Sequence, residues 1–252
     1  MIPFQSNPRW NNTTIHHGFF GRLGGISTAP FDSLNVGLST NDNRDHVLAN
    51  RQLISRQLGL KKLWLTQQVH GTDVFEPRHH HEDAKPEADI IFDPPKDTGL
   101  AIQTADCLPI FFVHQHSSVI AGAHAGWRGL VKGVIGVTVE RFLREGILAS
   151  EIEVAVGPCI GPGAFEVGEE VVDAIPPEYR QFCSFKHFKT QNWHVDLRLM
   201  ARLMLEDCDI RDIWISGQCT YTEKNNYFSH RYATHHYKGK TGRQLAVIGW
   251  TS

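Results

Sequence analysis

The chain lacks the runs and excesses that would place it in a special class. No apolar stretch approaches the roughly 18 residues that a membrane-spanning helix needs. The opening residues, MIPFQSNPRWNN, show neither the basic patch nor the apolar core of an export signal. Charge is balanced, 25 Lys+Arg against 27 Asp+Glu for a net of −2, so no basic face for nucleic acid or for an anionic membrane is expected. Cysteine is scarce and scattered, at 107, 159, 183, 208 and 219, without a C-x-x-C pair. An odd, widely spaced set argues against a disulfide framework and against a cysteine-rich zinc knuckle. Repeats, low-complexity tracts and long Pro/Gly/Ser linkers are missing as well. These absences predict a reduced, cytoplasmic protein without nucleic-acid or membrane partners.

What is present is an ordinary globular balance, 41% hydrophobic and 21% charged, in 252 residues, enough for one large core or two small ones. Short runs rich in β-branched and aromatic residues predict strands at 17–22, 63–68, 90–92, 100–103, 110–114, 119–123, 152–156, 213–216 and 245–249. Helical periodicity marks 45–58, 130–145, 168–174 and 197–206, with Asn43 or Asp42 available to cap the first and Asp196 the last. The two kinds of element are interspersed without strict alternation, which predicts an α/β protein with mixed sheets.

Fifteen histidines are unusual, and several lie where chemistry is done. TADCLPI places Cys107 where one apolar run breaks off and another begins, as a buried hydrophobe, a nucleophile or a metal ligand. In SSVIAGAHAGWRGLVKG a strand ends at His124, and a glycine-rich turn opens a helix beside Arg128. Free N–H groups and a guanidinium there suit phosphate or carboxylate, and a tight turn with solvated Arg128 explains the same residues. His70, in LTQQVHGTDV, follows another strand. One cysteine and two histidines at strand ends make a three-ligand set with an open fourth position for zinc, although no spacing rule joins them.

Other stretches fail tests of specificity. VAVGPCIGPGAFEVGEEVV has the Pro-Cys of the nucleobase deaminases, but Cys159 is followed by Ile160, Gly161 and Pro162, and His124 by Ala125 and Gly126. Neither P-C-x-x-C nor H-x-E is present. HQH, at 114 and 116, has no second pair to build a copper cluster, and His79, His80 and His81 read as a solvated loop.

The stretches FFGRLGGIST with SLNVG, QQVHGTDV, ADI, TADCLPI, AGAHAGWRGL, VGPCIGPGAFEVGEEV, DLRLMARLML, CTYTEKNNYFSHR and TGRQLAVIGW occur in this order. Together they resemble the laccase-domain or polyphenol-oxidase-like family, also described as bacterial purine nucleoside phosphorylase and adenosine deaminase, and in part as peptidoglycan editing factors. The resemblance implies a single domain over residues 1–252, cytotoxic-necrotising-factor-like, with mixed β-sheets between helices in an α/β/β/α arrangement. It implies that His70, Cys107 and His124 hold a metal or do the catalysis. Arg128, Arg22 and Arg231 become substrate or phosphate contacts, and Asp106 an acid/base or the partner of a ligating histidine. The implied activity is zinc-dependent: phosphorolysis of adenosine, inosine, guanosine or methylthioadenosine, and deamination of adenosine. Two alternatives go with it, a Cys-His hydrolase editing a nucleotide-linked peptidoglycan precursor and a copper-dependent polyphenol oxidase, Cu2+ then replacing Zn2+. This chain departs from the family at His230, Arg231 and Tyr232, where a second aromatic followed by two arginines is more usual.

Overall fold

Alternation along the strands builds two stacked sheets. In the computed structural model, which describes residues 1–11, 14–80 and 86–251, strands and helices are numbered in chain order. One sheet contains β1 (Phe4–Gln5), β2 (Ile15–Phe20), β14 (Gln244–Trp250), β6 (Thr98–Thr104) and β3 (Lys62–Trp64), in that spatial order. The other runs β13 (Asp212–Ile215), β9 (Glu153–Val156), β7 (Leu108–His114), β8 (Val119–Ala125), β5 (Ile90–Phe92) and β4 (Val74–Phe75). Pairing is antiparallel except for β3 with β6, β4 with β5 and β9 with β13, so both sheets are mixed, as expected.

Side chains of period two sort themselves into three cores. Phe111 and Val113 of β7 and Ile120 of β8 meet Leu100, Ile102, Ala246 and Ile248 between the sheets, where Phe19 stacks on Phe111 at 4.8 Å. The alternate residues Leu108, Ile110 and Phe112 face the other way, onto α3 (Val134–Arg144) and α6 (Leu197–Asp207). On the far side, Ala101, Leu245 and Val247 receive Ile54 and Leu58 at the end of α1 (Arg44–Gln57). The result is one α/β unit of mixed sheets flanked by helices. Truncating a ring as buried as Phe111 would cost about 3–5 kcal/mol.

Each expected strand falls on an observed one, but the strand expected at 63–68 stops at Trp64. Beyond it the Gln68 side chain takes over the ladder, accepting from Gln103 N at 2.8 Å and donating to Gln103 O at 2.7 Å. The helix expected at 130–145 is two, α2 (Trp127–Val131) and α3, parted at Gly133. Asn43 and Asp196 cap α1 and α6, their side chains accepting from Asp45 N and from Arg198 N and Leu199 N. Helices α4 (Glu169–Ala174), α5 (Pro177–Cys183) and α7 (His230–His236) and a small sheet of β10 (Glu166–Val167), β12 (Trp193–Val195) and β11 (Ser184–Lys186) complete the described elements. Of these only α4 was expected, because α5 and α7 each bury a single residue and the strands are too short to carry a period.

Candidate functional site

Four chain segments converge at one end of the stacked sheets. His124 lies near the end of β8, and Cys107 follows Asp106, whose positive φ of 94° turns the chain from β6 into β7. His70 stands in the loop after β3, also with positive φ. Just before β5, Asp89 is wholly buried. Its carboxylate accepts from the backbone N–H groups of Val69 (3.0 Å), His70 (3.0 Å) and Gly71 (2.7 Å), and from His124 Nδ1 at 2.7 Å. Burial works against its charge, but the bonds from His124, Gly71 and Val69 outweigh it and hold the carboxyl below its ordinary range. One anion therefore shapes the His70 loop and orients the His124 ring, whose Nε2 is left for a ligand.

The ligand atoms of His70, Cys107 and His124 lie within 4.8 Å of one another. Cys107 Sγ is 3.8 Å from His70 Nε2, and the two imidazoles meet edge to face with centroids 4.8 Å apart. Burial pushes the Cys107 thiol up, but the charge and hydrogen bond of His124, helped by His70, draw it down to about 6. Conversely, burial lowers His124, while Cys107 and Asp89 push it up to about 9. Without metal the cluster thus favours thiolate beside imidazolium. Its packing requires Gly126: a Cβ there would lie 2.8 Å from His70 Cδ2 and 3.0 Å from Cys107 Sγ.

The donor set fits a zinc-like ion. Two imidazole nitrogens and a thiolate at bond lengths of about 2.0–2.3 Å ask for separations near 3.3–3.6 Å, and the Cys107–His70 pair already stands at 3.8 Å. Among the described residues no other trio of His, Cys or carboxylate converges in this way. His114 bonds Ser117 and packs on His116, His79 and His80 lie by Glu76 and Phe75, and His81 lies outside the described residues.

The trio opens into a cavity of about 820 Å³. Arg128 reaches it, exposed, with its guanidinium 4.3 Å over the Trp127 ring. His230 lines it too, as do Arg51 and Arg243, and among the described residues no aspartate or glutamate does. Arg22 and Arg231 go elsewhere. Arg22 straps the loops at Asp32 and Lys224 together and covers Phe228. Arg231 lies over Phe165 and faces a second cavity of about 660 Å³ beside Trp127 and Trp193. Asp106 also turns from the trio: its carboxylate accepts from Thr220 Oγ1 and from Arg231 N, each at 2.7 Å. The histidine's partner is Asp89, not Asp106. Asp89, Arg51 and Arg243 were not anticipated from the sequence; an acid set against the buried run of ADI was the available signal for the first.

A family described as multi-copper polyphenol oxidoreductase laccase matches residues 16–251. The chain belongs to this family. It is 37% identical over 233 residues to the purine nucleoside phosphorylase YfiH of Escherichia coli (strain K12), covering 91% of this chain and 90% of the relative. To the purine nucleoside phosphorylase YlmD of Bacillus subtilis (strain 168) it is 32% identical, covering 99% and 93%. The crystal structure of YlmD from Geobacillus stearothermophilus superposes with a TM-score of 0.87 at 32% identity, covering all of both chains. That of Neisseria meningitidis protein NMB0706 gives 0.86 at 30%, covering 100% of this chain and 99% of the other. No described helix is long and apolar enough to cross a membrane.

Proposed function

We propose that this protein is a metal-dependent enzyme of purine nucleosides. It would cleave the N-glycosidic bond with phosphate and, in the same cavity, deaminate adenosine. The observation that carries the reading is the convergence of His70, Cys107 and His124 at a cavity with basic walls, large enough for a nucleoside. The names of the curated relatives supply the substrate class. A zinc ion held by the three would supply Lewis-acid activation of water near neutral pH.

The chain's own groups do the rest. Asp89 keeps the Nδ1 proton of His124 and so presents Nε2 to the ligand. Arg128 at the mouth attracts an anionic co-substrate. In phosphorolysis a phosphate oxygen bonds to the ribose carbon as the bond to the purine nitrogen breaks, and the leaving base takes a proton. His230, an imidazole lining the cavity, would donate it. Five unpaired cysteines suit a cytoplasmic location.

The test is metal content of untagged protein, wild type and Cys107→Ala, together with turnover of adenosine plus phosphate. Near-stoichiometric zinc that disappears with Cys107, along with adenine or inosine formation, is the expected result. Protein that turns over equally well when stripped of metal would overturn it.

One observation favours a second reading. Asp89, His124 and Cys107 stand in the order of orienter, base and thiol nucleophile, and Cys107 favours its thiolate. Metal-free hydrolysis of a nucleotide-linked cell-wall precursor, lost with Cys107→Ala, would establish it. The family's description favours copper in the same trio, and phenol oxidation by copper-loaded protein tests that.

A further inference from the structure

Two arginines that share the cavity with the trio form no ion pair among the described residues. Arg51, on α1, donates from Nε and Nη2 to Val36 O (2.8 and 2.6 Å) and from Nη2 to Gln103 Oε1 (3.3 Å). Arg243, just before β14, donates from Nη1 to Gly242 O at 3.0 Å. All these acceptors are neutral. Among the described residues, Arg51 Nη1 and Arg243 Nε and Nη2 have no acceptor, and neither guanidinium forms an ion pair. Arg9, Arg22, Arg78 and Arg141, in contrast, each sit against a carboxylate.

One short segment holds both side chains in place. Asn35 Oδ1 accepts from Arg243 N at 2.8 Å, Val36 N donates to Arg243 O at 3.0 Å, and Val36 O receives Arg51. Asn35 is itself locked by Thr40 and Asp42. At Gly37 a Cβ would come within 2.8 Å of Arg243 Cγ, so the arginine stem lies directly on this loop. One loop holds both cations, partly buried, in a cavity whose described lining includes no carboxylate; Arg243 feels the charges of Cys107 and Asp106 without bonding to either. Buried charge is normally paired directly, and donors of both guanidiniums remain open toward an anion from solution.

We infer that Arg51 and Arg243 form a seat for a tetrahedral dianion, inorganic phosphate, inside the cavity. A carboxylate is satisfied by one guanidinium fork, whereas phosphate offers more oxygens and nearly two charges to two separate forks. The inference deepens the nucleoside reading, since it places the co-substrate of phosphorolysis on these residues and leaves Arg128 as a contact at the mouth.

The experiment titrates inorganic phosphate into full-length protein by calorimetry or phosphorus NMR, with sulfate and acetate as competitors. Wild type is compared with Arg51→Lys, Arg243→Ala and Arg128→Ala, each checked for a native melt. Arg243→Ala should weaken phosphate binding about 10- to 100-fold, the range for lost charge-assisted bonds, and Arg51→Lys about tenfold. Arg128→Ala should weaken it less than either, by a few-fold, as an exposed cation adds attraction but little binding. Sulfate should compete and acetate should not. Wild type that binds no phosphate, folded Arg51→Lys and Arg243→Ala variants that bind it normally, or acetate competing as well as sulfate would each overturn the seat. Nucleoside turnover is read separately. Phosphate bound through these arginines without cleavage of any nucleoside leaves the seat and removes the nucleoside reading. Cleavage whose KM for phosphate ignores both substitutions does the reverse.

Discussion

Cys107 and Cys159 lie on neighbouring segments, for Asp106 O accepts from Ile160 N at 2.9 Å, yet their thiols are driven in opposite directions. Cys159 is wholly buried, and burial pushes its pKa far above the ordinary thiol range; Arg198 opposes this too weakly to matter. At Cys107 the same burial is overcome by two imidazoles, and the thiol falls to about 6. Two histidines repeat the contrast. His17, inside β2, is lowered to about 4, first by burial and then by His16, whereas His124 rises to about 9 beside Cys107 and Asp89. In both pairs burial favours the neutral form, and a charged neighbour within hydrogen-bond reach reverses it. The charged forms of these groups are therefore favoured where four segments meet and disfavoured at Cys159 and His17.

Removing the anion at the centre of the contrast should have the largest effect. Asp89→Asn leaves three backbone amides and His124 without a charged acceptor, so a loss of about 3–5 kcal/mol in unfolding free energy is expected by denaturant titration. Zinc affinity should fall about 10- to 100-fold with it, read by competition with a chromogenic chelator.

Next comes the pH dependence of stability at the isolated histidine. His17 accepts from Asn7 N through Nε2 and so is held neutral. Its folded pKa of about 4 lies below the unfolded 6.5, so the unfolded chain binds the proton more readily. Stability from this site is complete above pH 6.5 and is lost as pH falls toward 4, by up to ~3 kcal/mol. Chemical denaturation from pH 7 to 4 should show that slope, and His17→Gln should flatten it.

A smaller change comes from crowding the trio without altering a ligand. Gly126→Ala forces His70 and Cys107 apart at an overpacking cost of about 1–3 kcal/mol, and bound metal should drop about tenfold while the far-ultraviolet spectrum stays native. Last, iodoacetamide should separate the two thiols in metal-free protein. Labelling of Cys107 should rise through about pH 6 and exceed that of Cys159 by more than about tenfold at pH 7, as peptide mass spectrometry would show. Equal labelling would remove the distinction on which the comparison rests.

Much of this was legible in local pattern. Short runs rich in β-branched and aromatic residues marked the long strands β6, β7, β8 and β14, capping side chains marked where α1 and α6 begin, and strand ends singled out His70, Cys107 and His124 as a set. Where the pattern misled, a long-range bond had intervened, as when Gln68 replaced the ladder after Trp64. Asp106, next to Cys107 in sequence, was a candidate acid/base or partner of a ligating histidine, but its turn aims it at Thr220. The sequence by itself determined which segments become strands and helices, because periods of two and 3.6 are properties of neighbouring residues. Only the tertiary structure decided that Cys107 lies beside His70, 37 positions away, that Asp89 holds His124, and that Arg51 and Arg243 share one cavity. Those contacts depend on sheet pairing and on how the two sheets stack, and the charge each group carries depends on the contacts.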